Sequence, residues 1–207
     1  MQPRAKVYVV DDDAAVRQSM QYLVESVELQ VEAYASADEF LAKFDPKASS
    51  CLVVDVRMPG MNGLELQERL AAQGATVPTI VMTGFGDVPT AVRAMKRGAF
   101  DFIEKPFHDQ HMIDLIHACL AADAQWRREN TERDEIAACF VTLTNREREV
   151  LNLIVAGFSN KQAAAELGIV PKTVEAHRAK VMEKMHARSL AELVQMTTKR
   201  PAEETDA

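Results

Sequence analysis

Four apolar runs in this chain end in residues able to do chemistry. Lys6-Val7-Tyr8-Val9-Val10 runs into Asp11-Asp12-Asp13, and Leu52-Val53-Val54 delivers Asp55 ahead of Arg57-Met58-Pro59-Gly60-Met61-Asn62-Gly63. Thr79-Ile80-Val81-Met82 ends in Thr83-Gly84, and Asp101-Phe102-Ile103-Glu104 ends in Lys105-Pro106. Carboxylates, a hydroxyl and an ammonium together can bind a cation and stabilise charge, because grouped carboxylates repel unless one is protonated or a cation joins them. Read alone, Asp55 serves equally well as a cap for the helix that follows.

The elements that must position these residues follow from the pattern. Residues 52–54 are short, β-branched and unalternating, as in a parallel strand covered on both faces. Between the runs lie segments with helical spacing, such as Val16, Met20, Leu23, Val24 and Val27, or Leu64, Leu66 and Leu70. Strand and helix alternate five times within roughly 120 residues, which predicts a doubly wound α/β parallel sheet. Ligands of such sheets bind beyond the carboxyl ends of the strands, where all four runs place their polar residues.

These motifs, in this order, resemble the receiver domain of bacterial two-component response regulators over about residues 4 to 123: Asp11-Asp12, Asp55 with Met58-Pro59-Gly60 and Gly63, Thr83-Gly84, and Lys105-Pro106-Phe107. The resemblance implies a flavodoxin-like five-stranded sheet and a Mg²⁺-dependent phosphoacceptor. Asp12, Asp55 and the Arg57 backbone carbonyl would be metal ligands, with Asp11 acting largely through water. Asp55 would be the nucleophile that takes the phosphoryl group. Lys105 and Mg²⁺ would balance the phosphoryl oxygens, and the Thr83 hydroxyl would donate to one of them. By the same resemblance Thr83 and Phe102 would form a conformational switch, against the plain reading of Phe102 as core, Thr83 as a turn residue and Lys105 as a surface lysine.

Composition bounds the rest. The chain has 207 residues, enough for one large or two modest domains. No apolar run approaches the ~20 residues needed to span a bilayer, and the N-terminus lacks the apolar core of a signal peptide. Cytoplasmic residence without membrane association is therefore expected. Cys51, Cys119 and Cys139 have no metal-ligand spacing and cannot all pair, which favours reduced thiols. The net charge of -7 hides an asymmetry: residues 1–123 hold 11 Lys/Arg against 18 Asp/Glu, residues 142–200 hold 10 against 6. An acidic regulatory part joined to one that meets an anion fits this reversal.

Along the chain, Ser36 is expected to cap a helix through Phe40, Leu41 and Phe44 that Pro46 terminates. Gly84-Phe85-Gly86-Asp87 reads as a flexible loop, followed by a helix over residues 88–98 ended by glycine. Residues 124–141, with Trp126-Arg127-Arg128-Glu129 and Glu132-Arg133-Asp134-Glu135, read as a solvated helical linker. Thr144 and Glu147 have the spacing of a capping box ahead of Val150, Leu151 and Ile154. A helix from Lys161 to Leu167, a turn at Gly168-Ile169-Val170-Pro171 and a helix from Lys172 to Met182 make a helix-turn-helix. Residues 189–194 read as a last amphipathic helix and candidate dimer surface, and residues 201–207 as a disordered tail.

The string Leu143-Thr144, Arg146-Glu147, Glu149-Val150-Leu151, then Ser159-Asn160-Lys161, then Thr173-Val174-Glu175 and His177-Arg178 resembles the LuxR-type DNA-binding domain. Receiver plus this domain resembles the NarL/FixJ response regulators, FixJ-like subgroup. Val170-Pro171 departs from the usual N-cap residue, although proline suits a first helical turn. The resemblance implies a receiver at 1–123, a linker at 124–141 and a DNA-binding domain at 142–200. It places Glu175, Ala176 and Ala179 where bases are read, and Lys161, Lys172, Thr173, Arg178 and Lys180 where phosphates are held. Val174, Val181 and His177 would face the domain core. The implied partners are a sensor histidine kinase, double-stranded DNA and a second copy of the chain on phosphorylation. The expected function is transcription control by Asp55 phosphorylation, with no enzymatic activity beyond the protein's own phosphorylation and dephosphorylation. Two other readings are an Asp-nucleophile phosphatase, which places a second acid where this chain has Arg57, and a constitutive DNA binder with an unphosphorylated receiver.

Overall fold

The computed structural model describes residues 5–84 and 88–199, apart from the Val88 side chain. Phe85, Gly86 and Asp87 of the expected loop, and the tail 201–207, lie outside the described residues. The chain divides into two compact units, Met1–Arg127 and Arg128–Ala207.

The first unit holds β1 (Lys6–Val10), α1 (Ala14–Glu25), β2 (Gln30–Tyr34), α2 (Ala37–Lys43), β3 (Ser50–Asp55), α3 (Gly63–Ala72), β4 (Thr79–Thr83), α4 (Val88–Lys96) and β5 (Asp101–Glu104). α5 (Asp109–Val141) begins here. The strands form one parallel sheet in the order β2-β1-β3-β4-β5. Tyr8, Val10, Leu52 and Val54 point to the face covered by Phe40, Leu64, Leu66 and Leu70. Val7, Val9, Cys51 and Val53 point to the other, against Met20, Val24, Met112 and Ile116. Both faces are covered, which is why the strand runs do not alternate. β2, an edge strand, is not visible as an apolar run: Gln30 is exposed, Val31 to Ala33 are half-buried and only Tyr34 is buried.

Local sequence explains the helix starts. Asp13 caps α1, Ser36 caps α2, and Asn62 forms a full capping box with Glu65 at the start of α3. Phe44 takes extended backbone just after α2, two residues before Pro46. Gly98, with φ +84°, follows α4 in a conformation that favours glycine.

The second unit is built on the end of α5 with α6 (Asn145–Val155), α7 (Asn160–Leu167), α8 (Pro171–Lys184) and α9 (Leu190–Thr198). Residues 131–135 of α5 are exposed, but Ile136 and Phe140 are buried with Leu143, Leu151, Val181, Met185 and Leu193. The end of the expected linker is therefore core of this unit. Leu193 of α9 faces that core too, while Leu190 is exposed. A second cluster joins Val150, Ile154, Ala163, Ala164 and Val174. Cys51, Cys119 and Cys139 are free thiols. No described helix is long and apolar enough to cross a membrane.

Candidate functional site

The four strand ends meet as the sequence expects, but with one rearrangement among the acids. The Lys105 ammonium lies 2.6 Å from Asp11 Oδ2 and 2.6 Å from Asp55 Oδ1. Asp11 and Asp55 are buried, whereas Asp12 is exposed. Among the described residues, no three His, Cys, Asp or Glu side chains converge as a metal-binding group. The Lys105 ammonium offsets the repulsion between the two buried carboxylates, while Asp12 lies in solvent.

The backbone holds this pair in place. Asp55 Oδ2 accepts from the Arg57 N–H at 2.6 Å, and Val56 N–H donates to the Met82 carbonyl at 2.8 Å. Asp55 therefore caps its own turn, while Asn62 caps α3, so the helix-cap reading of Asp55 does not hold. Lys105 N–H donates to the Thr83 carbonyl at 2.7 Å, joining the ends of β4 and β5. The Thr83 side chain is buried at the end of β4. Phe102 pairs in register with Val81 and packs half-buried against the first core face.

Burial pushes the Asp11 carboxyl up, and the Lys105 hydrogen bond only partly offsets it. Burial pulls Lys105 down, but its bonds to Asp11 and Asp55 outweigh this and leave it raised. A cleft of about 750 Å³ is lined by Asp12, Val56, Arg57 and Met58 among others.

In the second unit, α8 presents Lys172, Glu175, Ala176, Ala179 and Lys180 as one exposed stripe at helical spacing. Thr173 and Arg178 are half-buried, and Arg178 Nη1 donates to Asn160 Oδ1 at 3.3 Å, tying α8 to the start of α7. Lys161 is exposed on α7. Val174 and Val181 are fully buried, and His177 is half-buried, its Nδ1 without a hydrogen-bond partner among the described residues. α8 starts without a side-chain cap at Val170, with Pro171 in its first turn.

Sequence reasoning missed the support of α8. Glu147, in the Thr144 capping box, also accepts from Lys184 Nζ at 2.6 Å, and Lys184 donates to the Thr142 carbonyl at 2.9 Å. The capping box was legible; the partner 37 residues away was not. The Lys184 ammonium and the Thr144 N–H hold the Glu147 carboxyl at about 2, against 4.5 ordinarily. A depressed folded-state value stabilises the fold fully above the unfolded value, and the gain is lost as pH falls through the folded one. Glu147→Gln should therefore be destabilising at neutral pH, by about 1–3 kcal/mol for a charge-assisted bond to a partly exposed lysine. That difference should vanish between about pH 4.5 and 2. Urea unfolding followed by helical circular dichroism at each pH reads this directly, and a pH-independent difference would remove the ion pair as its cause.

A parallel sheet with an acid-lysine pocket at its carboxyl edge, followed by a helix-turn-helix unit, defines a receiver joined to a DNA-binding domain. Residues 7–117 match the response regulator receiver domain, and residues 141–197 match the bacterial regulatory proteins of the luxR family. Transcriptional regulatory protein FixJ of Azorhizobium caulinodans is 50% identical over 190 residues, 92% of this chain and 90% of that one. Nodulation protein W of Bradyrhizobium diazoefficiens is 45% identical over 194 residues, 94% and 86% of the two chains. A solved structure of the response regulator StyR superposes with a TM-score of 0.86 at 43% identity, covering 95% of this chain and 99% of that one. Full-length FixJ from B. japonicum gives 0.59 at 43% identity, over 94% and 96%. The chain belongs to the NarL/FixJ-type response regulators, which are transcriptional regulators rather than enzymes in the ordinary sense.

Proposed function

We propose that Asp55 accepts a phosphoryl group from a sensor histidine kinase and that the change at its pocket controls dimerisation and DNA binding. The observation that carries this reading is the Asp55 carboxylate at the end of β3, paired with Lys105 beside buried Asp11 and Thr83. In the transfer an Asp55 oxygen forms the new P–O bond as the P–N bond to the donor imidazole breaks, and the imidazole leaves with a proton from solvent. The Arg57 N–H orients the Asp55 carboxylate. The Lys105 ammonium moves from sharing two carboxylates to neutralising phosphoryl oxygens, and the Thr83 hydroxyl donates to another.

The donor set fits Mg²⁺. It consists of hard oxygens, carboxylates and a backbone carbonyl, gathered at the carboxyl edge of the sheet. Asp11, Asp12, Asp55 and the Arg57 carbonyl would hold the ion, which supplies charge neutralisation for the transferred group. Phosphorylation would draw Thr83 inward, and Phe102 would follow it to reshape the surface that pairs two receivers. In this reading the receiver spans 1–123, the linker 124–141 and the DNA-binding domain 142–200.

On DNA, Glu175, Ala176 and Ala179 of the exposed α8 stripe would meet base edges. Lys161, Lys172 and Lys180 would hold phosphates; Thr173 and Arg178, half-buried at the stripe's edge, would add contacts while bracing the helix. Two copies would reach half-sites about one helical turn apart, roughly 34 Å. Such a regulator works where bacterial DNA is, in the cytoplasm.

The test is a titration of the full chain on sites selected from genomic DNA, with and without acetyl phosphate and Mg²⁺, at two salt concentrations. Phosphodonor should tighten specific binding, and affinity should fall with salt because phosphate contacts release counterions. Identical specific affinity in both states would leave the constitutive-binder reading in its place.

A further inference from the structure

The acid loop is braced by a cation that the transfer chemistry does not use. Arg17 of α1 donates from Nη1 to the Asp11 backbone carbonyl at 2.7 Å. That carbonyl lies just past Val10, where the β1 ladders end. The residues on either side of Asp12 are fixed by other bonds. Asp11 N–H donates to the Tyr34 carbonyl at 3.2 Å, and Asp13 N–H to Asp11 Oδ1 at 2.9 Å. Asp13 caps α1 through Ala15 N–H at 2.8 Å, and Arg17 N–H returns to the Asp13 carbonyl at 3.0 Å. Asp12 itself is exposed, and among the described residues its side chain makes no hydrogen bond or ion pair. Its direction is therefore set by the backbone that carries it, and the peptide before it is the one Arg17 grips.

We infer that Arg17 is a positioning residue for the cation site. By holding the Asp11 carbonyl it fixes the peptide plane between residues 11 and 12, and so presents the Asp12 carboxylate to the cleft it lines with Arg57. This rests on the reading that Asp11, Asp12 and Asp55 hold Mg²⁺. The inference is separable from simple electrostatics by sign. A guanidinium near a divalent cation repels it, so loss of its charge alone would tighten Mg²⁺ binding. Loss of a brace on a ligand weakens it, typically by ten- to a hundredfold for outer-shell partners.

The experiment titrates Mg²⁺ alone into the full chain, followed by backbone amide shifts, for the wild type, Arg17→Met and Arg17→Lys. Methionine keeps length and apolar stem but has neither charge nor donor. It should bind Mg²⁺ about tenfold more weakly. Labelling by acetyl phosphate should then need about tenfold more Mg²⁺ for half its maximal rate, with the maximal rate itself retained. Lysine keeps the charge and one donor and should fall between the two. Thermal unfolding of each variant separates this from general loss of structure. Should the methionine variant fold poorly, the lysine variant decides, because its charge is intact and any weakening comes from altered bonding. Equal or tighter Mg²⁺ binding by the variants overturns the inference while leaving the metal site standing. Absence of saturable Mg²⁺ binding in the wild type removes the metal reading itself, and this inference with it.

Discussion

Asp55→Asn should take phosphorylation by acetyl phosphate and Mg²⁺ from stoichiometric to undetectable, with the protein still folded. The amide oxygen is too poor a nucleophile to attack phosphorus, and no other acid in the pocket is placed to replace it. Asp11 is more deeply buried than Asp55, and its Oδ1 is engaged by the Asp13 N–H and its Oδ2 by Lys105. Asp12 is exposed outside the pair. The fold should survive because the substitution keeps the shape of the side chain, and Lys105 keeps Asp11 as its partner. Removing Asp55's charge also relieves its repulsion of Asp11, which is one of the influences raising the Asp11 carboxyl. Intact mass after treatment with the phosphodonor reads the result. A persistent stoichiometric phosphate, stable to acid and labile to base, would place the acceptor elsewhere. The same variant should bind DNA with one affinity whether or not phosphodonor is present.

The second large effect is expected at a residue with no chemistry of its own. Gly63 opens α3, and its N–H donates to the Val56 carbonyl at 3.2 Å. A Cβ built there would fall well inside van der Waals contact distance of the Asp55 carbonyl oxygen and meet Val54 Cγ2 at 3.1 Å. Both contacts are to β3, whose six residues are all buried and leave it no room to move. Alanine would gain up to about 1 kcal/mol of helix propensity. Overpacking of a filled interior costs about 1–3 kcal/mol, so the net effect should be destabilising. Function should suffer more than stability, because relief of the clash pushes on the peptide that carries the nucleophile. A displacement near 1 Å costs on the order of 100-fold in rate. Gly63→Ala should therefore lower the thermal midpoint modestly and slow acetyl phosphate labelling by about 100-fold. A normal labelling rate in a folded variant would show that α3 yields instead of β3.

Much of this was legible because it is local. Residues 7–10, 52–54 and 80–82 announce buried parallel strands by unbroken apolar runs, Phe102 and Ile103 mark a shorter one, and β-strand ends in such sheets are where ligands bind. The caps at Ser36 and Thr144 are set by side chains within three residues of the amides they satisfy. The α8 stripe follows from a period of 3.6 residues. β2 escaped because an edge strand needs apolar residues on few of its positions, and Gln30 and Glu32 broke the pattern. The burial of Ile136 and Phe140 escaped because the surrounding charges of α5 dominate its composition.

The sequence by itself determined which residue types stand at the strand ends, and hence that acids, a hydroxyl and a lysine would share one edge of a sheet. Only the tertiary structure decided how they share it. That Lys105 takes Asp11 and Asp55, separated from it by 94 and 50 positions, leaving Asp12 in solvent, is a matter of distances of a few ångströms between loops. The same holds for Lys184 on Glu147, for Gly63 against the Asp55 carbonyl, and for Arg17 on the carbonyl of Asp11. Periodicity and propensity act along the chain over a few residues. Hydrogen bonds and ion pairs act through space and weaken steeply with misplacement, so their partners are fixed only once the sheet and helices have packed.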